Sequence, residues 1–248
     1  MDQKNNINSS SSIVQNDFLK SISYIYKGKG TLTTSFSGPF LHRQELCEGN
    51  WINDASILIM PGGRDRPYHK DLQGSGNAQI RRFVEQGGIY LGICAGAYYG
   101  CKRVEFNKGF PLEVCEDREL GFFSGTAVGP AYGNGTFSYS NSSGARAAKI
   151  STNTGDFHVY YNGGCTFEGD LSCYKILARY VELPSQPAAI IECSMGKGKA
   201  ILSGVHLEMM PSHLDAKDPY LAPLIPILEE SEPKRRALWD LLHSSHRA

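Results

Sequence analysis

The stretch Gly-Ile-Tyr-Leu-Gly-Ile-Cys-Ala-Gly-Ala-Tyr-Tyr-Gly, residues 88–100, constrains this chain more than any other. Its first half is a short apolar run rich in β-formers, the pattern of a strand buried in a parallel sheet. Gly92-Ile93-Cys94-Ala95-Gly96 follows, and then small residues, as at the start of a helix. This is a nucleophile-elbow pattern with sulfur in place of the serine oxygen. A nucleophile on a sharp strand-to-helix turn sits in strained backbone. The positions two before and two after it must be almost free of side chain, so that strand and helix can approach. The helix that follows directs N–H groups and its positive dipole end at the sulfur, which favours a thiolate and can hold an oxyanion. Cys94 is the candidate nucleophile.

A lone Gly-x-Cys-x-Gly also suits a thiol that only packs. A second stretch, Gly198-Lys199-Ala200-Ile201-Leu202-Ser203-Gly204-Val205-His206-Leu207-Glu208, shifts the balance. Here another apolar strand ends in His-x-Glu. Residues two apart on a strand or its extended exit point the same way, so His206 and Glu208 are expected to meet. The carboxylate then orients the imidazole and the imidazole reaches the thiol.

A cysteine at a strand-to-helix elbow followed late in the chain by His-x-Glu resembles the class I glutamine amidotransferase-like superfamily. Further segments are similar to the amino-terminal domain of fungal-type biotin–protein ligases and their stand-alone bacterial relatives. They are Met60-Pro61-Gly62-Gly63-Arg64-Asp65-Arg66-Pro67-Tyr68, Glu119-Leu120-Gly121-Phe122-Phe123-Ser124-Gly125, Tyr160-Tyr161-Asn162-Gly163-Gly164-Cys165 and Leu202-Ser203-Gly204-Val205-His206. The similarity runs from about Ser56 to the C-terminus. It implies an α/β fold of flavodoxin-like type: a mostly parallel central sheet with helices on both faces, plus extra β-hairpins in the second half. It nominates the backbone of Gly63 beside that of Ala95 for an oxyanion hole. It also sets Tyr161 and Asn162 on the pocket wall, because the returning strands of such domains run beside the active site. Arg64 and Asp65 are placed at the carboxyl ends of the strands, where open α/β sheets bind ligands.

In chain order, residues 1–16 are polar and rich in Ser and Asn, the composition of a disordered tail. Residues 17–248 are expected to form one domain. Phe18–Tyr26 suits a first strand, and Lys27-Gly28-Lys29-Gly30 a surface turn. Between Thr31 and Trp51 the chain departs from its relatives, and the first crossover is expected to be truncated. Ala55–Met60 reads as a buried strand and 77–86 as a helix closed by Gly87-Gly88. From Val104 to Asn141, short alternating runs point to hairpins. Strands follow at 145–150, 157–161, 175–183 and 188–194, the last turning back antiparallel into the His-x-Glu strand. Two helices are expected within 219–243, the second starting at Pro233.

The 25 basic and 25 acidic residues cancel, which argues against a nucleic-acid partner. Seven cysteines without a Cys-x-x-Cys pair fit neither a disulfide framework nor a zinc site, so a reduced, cytoplasmic setting is expected. No signal peptide or membrane-spanning run is present in the sequence. The remaining histidines, at 42, 69, 158, 213, 243 and 246, are scattered, so no metal is assigned, and no cofactor.

These residues specify acyl transfer on a small-molecule amide, with Cys94, His206 and Glu208 as the triad. The resemblance implies a glutamine-holding Gln two residues after the elbow's second glycine, but Tyr98 stands there. A glutamine substrate is therefore not expected, and Tyr98 is taken as a substrate-pocket residue. The chain has no Gly-Arg-Gly-Arg-Gly adenylate loop and is not expected to be a biotin ligase itself; a partner from that pathway would act in trans. The second expectation is a binding or regulatory module that keeps the triad as a ligand pocket. Substrate, pathway and oligomeric state are not assigned by the sequence.

Overall fold

Alternating apolar residues decide which way each strand faces, and in this computed structural model they divide the core in two. The structure describes residues 22–27 and 38–244. The polar tail, the start of the first expected strand, the Gly28-Lys29-Gly30 turn and residues 31–37 lie outside the described residues. The parallel part begins with β1 (Ile22–Tyr26), β2 (Phe40–Leu41), α1 (Arg43–Glu48), β3 (Ala55–Met60), α2 (Asp65–Leu72) and α3 (Ser75–Glu85). It continues through β4 (Ile89–Ile93) and α4 (Ala95–Gly100). Then come β5 (Cys101–Phe106), β6 (Val114–Asp117), β7 (Phe123–Gly129), β8 (Ala145–Thr152), β9 (Gly155–Asn162) and β10 (Thr166–Glu168). The chain closes with β11 (Lys175–Tyr180), β12 (Ala188–Met195), β13 (Gly198–Ser203) and α5 (Ile225–Ser244).

A nine-stranded sheet runs β2-β1-β3-β4-β13-β12-β11-β8-β9. It is parallel from β2 to β13 and antiparallel from β12 to β9. Ile57 and Ile59 of β3, with Ile89, Leu91 and Ile93 of β4, turn to one face, where Leu238 and Leu242 of α5 cover them. Leu58, Met60 and Tyr90 turn to the other face, against Tyr68 of α2, Phe83 of α3 and Tyr99 of α4. Helices on both faces are thus what the alternation requires. The excursions after the elbow build a second, four-stranded sheet, β10-β7-β5-β6, which packs on the same side as α4.

Asp65–Leu72, to which the sequence assigns no element, is a helix with Asp65 at its first turn and Tyr68 and Leu72 buried. One expectation needs correction: the C-terminal stretch forms one helix running through Pro233, not two. Proline there removes one backbone hydrogen bond, but Leu228, Leu238 and Leu242 are all buried along the same helix and hold it in one piece. The remaining apolar pair, Leu221 and Leu224, precedes it at a short 3-10 turn.

Strand register delivers the functional residues. In β4, Gly92 lies opposite Met60 of β3 and Leu202 of β13. The carboxyl ends of the three strands therefore coincide, and the segments leaving them share one rim. A side chain at Gly92 would strike the Gly96 carbonyl, and one at Gly96 would strike the Met60 carbonyl. Both obstacles are backbone and cannot yield. Gly96→Ala is expected to cost roughly 2–3 kcal/mol or more, read as a lowered denaturant midpoint without change of slope.

Candidate active site

Cys94 joins β4 to α4 with φ 50° and ψ −105°, a strained backbone for a residue with a side chain. The strain lifts the thiol out of the sheet and places it at the amino end of α4. Its Sγ lies 3.7 Å from the Asn162 carbonyl oxygen. From the adjacent rim, the chain leaving β13 brings in His206, whose Nδ1 lies 2.7 Å from Glu208 Oε1. Both side chains are buried. With Nδ1 committed to the carboxylate, Nε2 is the ring nitrogen left for the thiol. Gly62 fixes how closely the two meet: a methyl group there would stand 2.8 Å from His206 Cε1 and 3.6 Å from Cys94 Cβ.

His206 is anchored from a second direction. Its N–H donates to the Tyr160 carbonyl at 2.9 Å, an isolated antiparallel bridge from the segment after β13 to β9. The Tyr160 ring packs against the imidazole at 5.6 Å between centroids. Burial alone would lower the imidazole pKa. The Glu208 carboxylate and a side-chain hydrogen bond with Cys94 outweigh it and raise the value to about 10. The imidazolium is thus the favoured form at neutral pH.

The thiol and imidazole open into a cavity of about 670 Å³, to which Gly63, Asp65, Ala95, Tyr98 and Asn162 also contribute. Ala95 is the first residue of α4, so its N–H has no intrahelical acceptor. Tyr98 is a wall: its hydroxyl donates to the Gly163 carbonyl at 3.1 Å and its ring meets Phe106 edge-on. Asp65 is held by Arg118, whose Nε and Nη2 donate to its Oδ2 at 3.0 and 2.7 Å. Burial nonetheless keeps the Asp65 carboxyl above its ordinary range.

Two residues predicted for the pocket sit elsewhere. Tyr161 is buried in the other core layer, with its hydroxyl donating to the Gly164 carbonyl at 3.0 Å. The reason is the pleat: Tyr160 and Asn162 share the cavity side of β9, which turns Tyr161 away. Arg64 is exposed and lies over the Tyr139 ring, 4.1 Å from its centroid, outside the cavity lining. The sequence reading missed Tyr160, which the same two-residue period identifies once Asn162 is placed. It also missed the serine-rich segment 138–142 and the stretch after Glu208, including Asp215 and Asp218, which complete the lining. No pattern in the sequence marks these loops. Among the described residues, no three His, Cys, Asp or Glu side chains are grouped to hold a metal ion. Nor is any described helix long and apolar enough to cross a membrane.

The raised His206 pKa carries a sign for stability. Stabilisation by the charged imidazole is full below about pH 6.5 and is lost as pH rises towards about 10. Unfolding free energy is expected to fall over that window by on the order of 2–4 kcal/mol. His206→Gln is expected to flatten the fall, as checked by urea titrations at pH 6, 8 and 10.

Comparison with known proteins gives concordant findings. Residues 22–244 match the family described as biotin-protein ligase, N terminal. A Chlamydia muridarum protein described as uncharacterized is 44% identical over 179 residues, 71% of this chain and 67% of that protein. The biotin–protein ligase of Schizosaccharomyces pombe is 35% identical over 206 residues, which is 79% of this chain but 31% of the ligase. The chain therefore spans under a third of that enzyme. Among solved structures, a glutamine amidotransferase superposes with a TM-score of 0.50 at 20% identity, covering 77% of this chain and 88% of that one. PurLQS from Thermotoga maritima gives 0.51 at 14% identity, covering 82% and 96%. These two likenesses concern the fold.

Proposed function

This chain belongs to the biotin-protein ligase N-terminal family, and we propose that it is a Cys-His-Glu hydrolase of a small amide. The observation that carries this reading is the 2.7 Å contact between His206 and Glu208, with the imidazole also hydrogen-bonded to Cys94.

The Cys94 sulfur, its proton held on His206, attacks the amide carbonyl carbon. The oxyanion that forms is held by the N–H of Ala95 and of Gly63. The C–N bond breaks as His206 gives its proton to the leaving nitrogen, releasing ammonia and a thioester on Cys94. Water then loses a proton to the neutral imidazole and attacks the thioester, which frees the acid and restores the ion pair. One amide and one water give one acid and one ammonia. Glu208 keeps the ring in the required tautomer throughout. Tyr98 belongs to the pocket wall, so the sulfur is reached from the cavity.

Two measurements test this. Ammonia release from a panel of small amides is expected to drop by at least about 10³-fold in Cys94→Ala. Labelling of Cys94 by iodoacetamide, located by mass spectrometry, is expected to slow roughly tenfold or more in His206→Ala. Labelling that is independent of His206, together with ammonia release that survives loss of Cys94, overturns the reading.

A further inference from the structure

Resting on the hydrolase reading, we infer that the substrate is a cationic amide, with a primary ammonium group on its acyl part received by Asp65. Three observations converge. First, the Arg118–Asp65 pair is one-sided. Both guanidinium bonds end on Oδ2, whereas a fork-to-fork pair would engage both carboxylate oxygens. Oδ1 has no hydrogen-bond partner among the described residues, and the Asp65 side chain keeps 11% of its surface exposed. That surface lines the cavity holding Cys94.

Second, the two guanidiniums that meet acids at this wall are already paired. Arg118 is shared between Asp65 and Glu116, and Arg66 is 2.6 Å from Glu116, so two acids and two guanidiniums balance. The Arg64 guanidinium stays charged but lies over the Tyr139 ring, outside the residues that line the cavity. Third, the described residues lining the cavity include Asp215 and Asp218 but neither lysine nor arginine. The Asp215 carboxylate accepts the Lys217 backbone N–H, and that of Asp218 accepts the backbone N–H of Tyr220 and the Ser142 hydroxyl; none of these donors carries a positive charge that would cancel theirs. A substrate carboxylate would be desolvated against like charge. An ammonium would gain a charge-assisted bond to Oδ1. The cavity is thus built to tell amides apart by the charge on their acyl chain, partly by repulsion.

Three compounds sharing one amide separate the possibilities: 4-aminobutanamide (cationic), butanamide (neutral) and glutaramate (anionic). Binding to full-length Cys94→Ala protein, where no turnover occurs, is read by calorimetry. 4-Aminobutanamide is expected to bind about tenfold tighter than butanamide, and glutaramate more weakly than either. Asp65→Asn in the same background is expected to bring the cationic and neutral amides within about twofold of each other. Equal affinities for the three compounds, or tighter binding of glutaramate, overturn the inference whether or not the Asp65 variant folds. Ammonia release by the unmodified protein is scored separately. Charge-ordered binding without Cys94-dependent ammonia release refutes the hydrolase reading and leaves the assignment of ligand class standing.

Discussion

The pairing of β13 beside β4 is the constraint on which the rest of the structure depends. These strands are more than a hundred residues apart in sequence, and their parallel register sets Ser203 next to Ile93. One residue beyond each point the two chains diverge, one into a tight elbow and one into the His-x-Glu segment. A register slip of β13 by one residue would send each of its side chains to the opposite core layer, apolar on both sides but shaped for other residues. The core therefore enforces, at the level of apolar burial, the same alignment that brings sulfur and imidazole together. Chemistry at the rim follows from packing in the middle of the sheet.

That link also explains what could be read from the residues alone. The elbow was legible because its geometry leaves no freedom: Gly92 and Gly96 face backbone carbonyls, and only glycine fits. Strand β3 and the β12–β13 hairpin were legible because alternation and turn chemistry are local. Cys94, His206 and Glu208 stood out as candidates because they lie at the ends of two apolar runs. Less accessible was anything set by tertiary pairing. Tyr161 was misplaced because adjacent residues on a strand cannot share a face, and only the structure shows which of the two looks inward. Helix α2 was missed because its polar sequence carries just two buried apolar anchors, Tyr68 and Leu72. The continuous α5 was divided because proline is a strong local signal that tertiary burial overrides here. The loops that complete the cavity carry no periodicity at all.

The candidate site combines two kinds of order. Its reactive centre is fixed by buried groups: a strained cysteine, a carboxylate-held imidazole and the small turn at Gly62. Its outer wall consists of loop segments rich in serine and aspartate. The solved structures that superpose on this chain share its fold. The second kind is free to vary, since loops at the carboxyl edge of an α/β sheet contribute little to the core. A chemistry held by the framework and a preference held by the loops can thus be altered independently.

The bridge between the His206 backbone and Tyr160 has a mechanical consequence. Strand β9 lies at the far end of the nine-stranded order from β2, four strands away from β13, yet it returns to touch the segment that leaves β13. The antiparallel half therefore curls almost into a closed ring, with the imidazole riding on the clasp. Loosening the β8–β9 hairpin would release the His206 backbone from Tyr160 and shift the Asn162 carbonyl that faces the Cys94 sulfur. The outermost hairpin, far from the elbow along the chain, thereby bears on the spacing between the imidazole and the sulfur.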